Sequence, residues 1–381
     1  MRWKKSKTMK TSLCKVETKK DLKAFVSFPF EHYQGNAFWV PPLIQSEMTQ
    51  LSALDNPVFE HSDTVLFTAW KHGRLRGRIA GIINHLETNH LGEQHARFGW
   101  LEFADDLEIS KTLLEGVENW AREKECKVLK GPHGFNQLDK NGMLTAGFDT
   151  LGTSTAAFNY PYYATHLETL GFEKDLEWVE LTFARPSVLP DKILRMKKLL
   201  ETRYGLSVLK PSDKAELRRF FEALFDLMLD TYLKLPGFVP ISEKQRKVYI
   251  DQYIRFLRMD FIHVVLDDQG QPIGFGVSMP SFSKALQKAK GRLFPFGFLH
   301  LLRARWWNDT AELALIGVRE EWRRKGVHSL IFAETGDAFA QAGITRILGN
   351  PTLEFNNNAL ALWEDYDPKI YRRRRTYRKQ L

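Results

Sequence analysis

Thr310-Ala-Glu-Leu-Ala-Leu-Ile-Gly-Val318, Arg319-Glu-Glu-Trp322 and Arg323-Arg-Lys-Gly-Val-His328 open the stretch, running on to Asn358, that decides the fold. The first segment has the apolar content of a strand, and the second is a polar turn. A helix-like run starts at the cationic, glycine-containing segment and ends near Ala342-Gly343. Within it Leu330, Ile331, Ala338 and Ala342 share one helical face. Thr345-Arg-Ile-Leu-Gly349 reads as a second strand. Strand, cationic turn, helix and strand make one crossover unit, which presents backbone N–H groups and positive charge at a helix start. That arrangement suits a phosphate.

The turn resembles the acyl-CoA-binding turn of the GNAT N-acyltransferase superfamily, Gln/Arg-x-x-Gly-x-Gly/Ala after a strand ending in an aliphatic residue. Here Arg323-x-x-Gly326-x-His328 follows Val318, with His328 where the family has a small residue. Asn356-x-x-Ala359-x-x-x-Trp363 resembles the family's Asn-x-x-Ala-x-x-x-Tyr helix start beside the CoA thiol, with Trp363 in the tyrosine's place. The resemblance implies an α+β fold of two GNAT-like domains, each a mixed, mainly antiparallel twisted sheet flanked by helices. It implies cofactor contacts at Ile316, Val318, Arg323, Arg324, Lys325, Gly326, Val327, His328, Ser329, Asn356 and Ala359, with acetyl-CoA or a longer acyl-CoA as co-substrate. Phe38–Leu43, Asn159–Tyr163 and Gly291–Gly297 are similar to segments of bacterial two-domain GNAT proteins. The layout is also similar to that of bacterial ceramide synthases, which acylate a long-chain amine.

The chain has 381 residues, 43% hydrophobic and 27% charged, which accommodates two or three domains with ample core. No apolar run is long enough for a spanning helix. Cys14 and Cys126 form neither a disulfide framework nor a metal spacing and read as reduced thiols of a cytoplasmic protein. No metal is expected. The net charge of +9 is terminal: residues 1–10 carry five Lys/Arg and residues 369–381 seven, without an acid, which leaves about −3 for the remainder. This argues against a dedicated nucleic-acid groove, and so against a tRNA-dependent ligase of similar layout. An anionic cofactor and the inner-membrane surface remain as partners.

Residues 1–12 read as a basic leader. Thr64–Trp70 and Arg76–Asn84 form a hairpin, followed by a strand Ala96–Phe103, a helix Leu107–Lys124, a strand Lys127–Lys130, a helix Tyr162–Leu170 and a strand Trp178–Phe183. This is the order of a GNAT-like domain over residues 13–184. Its turn, Ala104–Glu108, is acidic and would repel a pyrophosphate, so the domain reads as degenerate. Gly131–Asn136 and Asn159–Tyr163 are either part of an acceptor site there or turn chemistry with aromatic packing. Arg185–Leu206 is read as a linking helix and residues 207–381 as the catalytic domain. In it come Ser207–Lys210, helices Asp213–Leu233 and Ser242–Arg258 around the Pro236–Pro240 loop, and a hairpin of Phe261–Leu266 with Pro272–Ser278. An insertion, Ser281–Asp309, alternates basic and bulky apolar residues, as an interfacial contact or a lid over a lipid-like substrate would. In the final strand Tyr371, Arg373, Arg375 and Tyr377 point one way, Arg372, Arg374 and Thr376 the other.

Acyl transfer to an amine needs a held thioester, a polarised carbonyl, a base and an acid. Glu312 is the candidate base; a structural ion pair or a solvent-facing residue is the other reading. Tyr366 and Tyr371 are the phenols nearest in sequence to the missing tyrosine, as acid or as packed aromatics. Asn356 is a ligand contact or a helix N-cap. His328 is placed for phosphate, and His263 reads as a core histidine. The expected function is an N-acyltransferase moving an acyl group from acyl-CoA to a primary amine, an amphipathic or lipid-like one being the narrower expectation, with long-chain amine acylation or a non-enzymatic CoA-binding scaffold as the alternatives.

Overall fold

The structure is a computed structural model describing residues 11–209, 213–232 and 237–381. The Met1–Lys10 leader, Lys210, Leu233 and Pro236 fall outside the described residues. The chain divides into two compact units. Unit 1 comprises Met1–Asp149, Thr155–Glu177 and Arg374–Leu381; unit 2 comprises Thr150–Ser154 and Trp178–Arg373.

Unit 1 starts with β1 (Ser12–Lys15), α1 (Lys19–His32) and α2 (Ile44–Gln50). α1 begins in a capping box between Thr18 and Asp21. The hairpin is β2 (Ser62–Lys71) and β3 (Arg74–Asn84). Its two-residue loop, His72-Gly73, has φ of 54° and 72°, the double left-handed conformation that matches strand twist. α3 (His85–Leu91), β4 (His95–Phe103), α4 (Leu107–Glu123) and β5 (Val128–Gly131) follow. β5 runs parallel to β4, with His95 opposite Val128. α4 buries Ile109, Leu113, Leu114, Val117 and Ala121 against β3 and β4. β6 (Met143–Ala146), α5 (Tyr162–Thr169) and β7 (Glu173–Ala184) come next, β7 passing from unit 1 into unit 2.

Unit 2 continues with α6 (Asp191–Tyr204), β8 (Ser207–Leu209), α7 (Lys214–Tyr232) and α8 (Glu243–Phe256). α6 begins later than the Arg185–Leu206 reading, after Pro186 and Pro190; proline restricts the residue before it to extended backbone. β9 (Ile262–Leu266) and β10 (Pro272–Pro280) form the second hairpin. The insertion folds as two helices, α9 (Ser283–Ala289) and α10 (Gly297–Trp306). β11 (Thr310–Val318), α11 (His328–Gln341) and β12 (Arg346–Leu348) are the expected crossover, with β12 parallel to β11. α11 buries Leu330, Ile331, Ala333, Ala338 and Phe339. β13 (Thr352–Leu353), α12 (Asn357–Ala361) and β14 (Lys369–Gln380) close the chain.

Both units thus repeat one order: hairpin, strand, helix, parallel strand. The strand completing each is not the next one in sequence. In unit 1, Tyr377–Gln380 of β14 pair antiparallel with Gly131–Val128 of β5. In unit 2, Thr182–Ala184 of β7 pair antiparallel with Leu348–Arg346 of β12. β14 alternates over most of its length: Arg372, Arg374 and Thr376 are buried and Tyr371, Arg373 and Arg375 half-buried, but Tyr377, read with the latter set, is fully buried in the unit 1 core.

Candidate active site

Glu312 lies on β11 and is 2% exposed. Ser281 Oγ donates to its carboxylate at 2.7 Å and Ser154 Oγ at 3.3 Å, and the Ser154 N–H lies 3.4 Å from both oxygens. Ser283 Oγ is 3.4 Å from the carboxylate but 2.7 Å from the Gly152 carbonyl. Its one proton goes to the nearer carbonyl, so toward a protonated Glu312 it acts as acceptor. Burial pushes the Glu312 pKa up to about 7, and the hydrogen bond from Ser281 opposes that rise most. Among the described residues no cation pairs with Glu312.

Two irregularities open the sheet beside it. Val277 lies opposite Leu315 and Ser278 opposite Leu313, so Ala314 is an extra residue in β11. Such a bulge re-aims the side chains beyond it. Ala311 and Leu313 before the bulge, and Ile316 and Val318 after it, pack in clusters with α11 residues. Glu312 therefore points to the other face. The second irregularity is the short pairing with β12, which covers only Thr310–Glu312. Past Leu348, the Gly349 N–H donates to the Leu181 carbonyl at 2.7 Å and β13 pairs with β7. The chain has left β11, and among the described residues no strand pairs with Leu313–Val318 on that side. An unpaired strand edge can meet an extended ligand, although here the Ala314, Ile316 and Val318 carbonyls already accept from Asn350 Nδ2 at 2.7 Å, Tyr232 Oη at 2.6 Å and Arg323 Nε at 3.1 Å.

At the far end of this edge is the cationic turn. Glu320–Lys325 is a 3-10 turn, Gly326 has φ +78°, and no side chain caps the start of α11. The N–H groups of Ser329 and Leu330 fold back onto the Gly326 and Val327 carbonyls at 2.9 and 3.1 Å. The uncapped start, with its helix dipole, favours an anion. The three cations are not equivalent. Arg323 is folded onto the turn, donating to the Val318 carbonyl at 3.1 Å and the Thr231 carbonyl at 3.4 Å. Lys325 lies 3.8 Å above the Trp322 ring. Arg324 is exposed and has no partner among the described residues. Val327 and Ser329 are buried, so only their backbone can face a ligand. His328 packs on Phe332, and burial lowers its imidazole pKa from the ordinary value.

No family model matches the chain. Protein YghO of Escherichia coli K12 is 28% identical over 376 residues, covering 95% of this chain and 94% of that protein. A bacterial ceramide synthase of Caulobacter vibrioides is 25% identical over 392 residues, covering 97% of each. Among solved structures, a tandem GNAT protein from the clavulanic acid biosynthesis pathway superposes with a TM-score of 0.57 at 11% identity, over 97% of this chain and 98% of that one.

The chain has a tandem GNAT fold.

In this GNAT fold the remaining predicted residues take different places. Asn356 caps α12: its Oδ1 accepts the Ala359 N–H at 3.2 Å. Tyr366 packs with Phe183, Trp363 and Phe332, and shares a cluster with Ala311 and Leu313. It is therefore on the α11 face of β11, opposite to Glu312. Its hydroxyl is buried without a hydrogen-bond partner among the described residues, and burial pushes its pKa up to about 12. Tyr371 donates to Glu180 at 3.1 Å. Neither phenol is among the groups that bond Glu312. A cavity of about 370 Å³ lies beside α12, lined by Val179, Leu181, Leu360 and Ile370 with the Arg373–Glu354 pair.

In unit 1 the equivalent edge is filled by the chain itself. β4 pairs with β5 only over His95–Arg97. Farther along, Tyr162 Oη donates to the Phe103 carbonyl at 2.6 Å, and the Phe103 N–H donates to Tyr163 Oη at 3.0 Å. At the turn, Asp106 and Glu108 both pair with Lys71, at 2.6 and 2.8 Å. Asn159 is buried and bonds both the N–H and the carbonyl of Leu144.

The sequence reading missed Ser154, Ser281 and Ser283. Ser281-x-Ser283 is a legible pair at the root of the insertion, but nothing local ties Ser154 to a residue 158 positions away.

Proposed function

We propose that unit 2 is an acyl-CoA-dependent N-acyltransferase acting on a primary amine. One observation carries the reading. A carboxylate with no cation beside it, held near pKa 7, sits on the strand whose open edge leads to an uncapped, cation-flanked helix start. A group poised near neutral pH is suited to take a proton from an ammonium ion. The diphosphate of the cofactor would lie at the Val327–His328 backbone with Arg324 beside it, and the pantetheine arm would lie along Leu313–Val318. Glu312, directly or through its serines, takes the proton; the freed amine attacks the thioester carbonyl. The C–N bond forms, the C–S bond breaks, the nitrogen gives up its surplus proton to water, and the thiolate leaves on the α11 face. Tyr366 is on that face with a hydroxyl that has no partner among the described residues, so it is the phenol placed to protonate the sulfur. Tyr371, held by Glu180, is a weaker choice of acid.

A finer reading makes the acceptor a long-chain amine. The full-length likeness to a protein named bacterial ceramide synthase supports it. Glu312→Gln tests the chemistry: turnover falls by about 10²–10⁴-fold, while calorimetry finds CoA affinity unchanged. Arg324→Glu does the reverse, weakening CoA binding. Normal turnover in Glu312→Gln moves the base elsewhere, and an absence of turnover in wild type with intact CoA binding favours the scaffold alternative.

A further inference from the structure

The α9–α10 insertion leaves a large apolar surface uncovered. Phe298, Leu299, Leu302 and Trp306 of α10 are all exposed, while Gly297 and Leu301 are buried. Spaced by three, four and eight residues, the exposed four form one side of the helix. Phe294 (77% exposed) and Phe296 (69%), in the loop before it, and Trp307 (70%) after it extend the patch. A soluble surface rarely keeps so many contiguous large side chains in water.

Within the insertion the charge has one sign, and beside it Asp309 pairs with Lys284 at 4.0 Å and Asp260 with Arg258. From Ser281 to Asn308 there is no Asp or Glu, and Lys284, Lys288, Lys290, Arg292 and Arg303 are exposed. Arg303 stacks over Trp307 at 5.9 Å, and Arg258 and Arg305 over Trp306 at 5.0 and 5.5 Å. Aromatic and aliphatic residues rimmed by cations fit the boundary between acyl chains and anionic headgroups. A second copy fits poorly, because a two-fold contact through this patch would set the same five cations against each other.

We propose that the α9–α10 insertion seats the protein on an anionic lipid bilayer, with Phe294, Phe296 and the exposed side of α10 in the interface. The surface is rooted at the candidate base, since Ser281 and Ser283 at the start of the insertion contact Glu312. A lipid-soluble amine drawn from that bilayer would arrive beside it. This use of the surface rests on the acyltransferase reading; the docking itself does not.

Co-sedimentation with vesicles, without substrate, tests it. Wild-type protein binds vesicles of mixed phosphatidylcholine and phosphatidylglycerol, and binds pure phosphatidylcholine at least about tenfold more weakly. Each cation near such a surface strengthens partitioning by about fivefold. Lys288→Glu with Arg292→Glu therefore weakens binding roughly 25-fold or more. Phe294→Ser with Phe296→Ser also weakens it, with circular dichroism unchanged. No binding to the mixed vesicles, equal binding to both compositions, or full binding by both variants overturns the proposal. A wild-type dimer that the Phe variant dissociates, without vesicle binding, assigns the patch to a second copy instead. CoA calorimetry on the same proteins separates the two readings: lost CoA binding in wild type sinks the acyltransferase and leaves the vesicle result standing.

Discussion

Replacing Glu312 by glutamine should change how stability depends on pH. The buried carboxyl holds its proton up to about 7, against an ordinary value of 4.5. Between these values the folded state binds more protons than the unfolded chain, so stability falls as pH rises through that window. At about 1.4 kcal/mol per pH unit, the loss is about 3 kcal/mol by pH 8. Glutamine cannot ionise and avoids it. Its amide meets the Ser154 N–H poorly, which subtracts a part that does not vary with pH. Urea unfolding of both proteins at pH 5 and pH 8 gives the difference between them. Glu102 in unit 1 has the same raised value, but it tilts both curves alike and cancels. The variant should gain on wild type by about 2.5 kcal/mol from pH 5 to pH 8. A difference that stays constant across that range would refute the assignment of a near-neutral pKa to Glu312.

The hydroxyl of Ser281 is the strongest group holding that pKa down, so Ser281→Ala should move the ascending limb of the pH–rate profile to higher pH; an unmoved limb would mean that Glu312 does not set it. Tyr366→Phe removes a buried hydroxyl that has no partner, so thermal unfolding should show no loss of stability and a gain of up to about 1 kcal/mol. If Tyr366 is the acid, the same variant loses turnover at unchanged CoA affinity; normal turnover would remove it from the mechanism.

The crossover of β11, α11 and β12 was legible because a strand-like apolar run, a glycine-containing turn and a helical period succeed one another within forty-odd residues. The hairpins were legible from the same kind of local signal. The site was half legible. Glu312 stood out as an acid in an apolar strand, yet the groups that surround it come from β10's end, the start of α9 and the Thr150–Ser154 segment. The Ala314 bulge leaves no mark in composition, while plain strand alternation puts Glu312 on the face opposite to Ala311, Leu313 and the Tyr366 that packs with them. Arg323 matches the turn pattern by type but is tied to two backbone carbonyls. A motif records a residue's identity and spacing, and neither fixes where a long side chain ends.

The pairing of β14 with β5 sets an order in time. A ribosome delivers α1 to α5 early, but β5 keeps an open edge until the last segment of unit 1, Arg374–Leu381, is made. Tyr377 and its partner Glu168 are 209 residues apart. Closing so long a loop is slow, and an edge left open meanwhile can pair with other chains. The first unit to be synthesised is therefore the last to be sealed. Damage to the final strand would appear as instability in the half of the molecule that was made first.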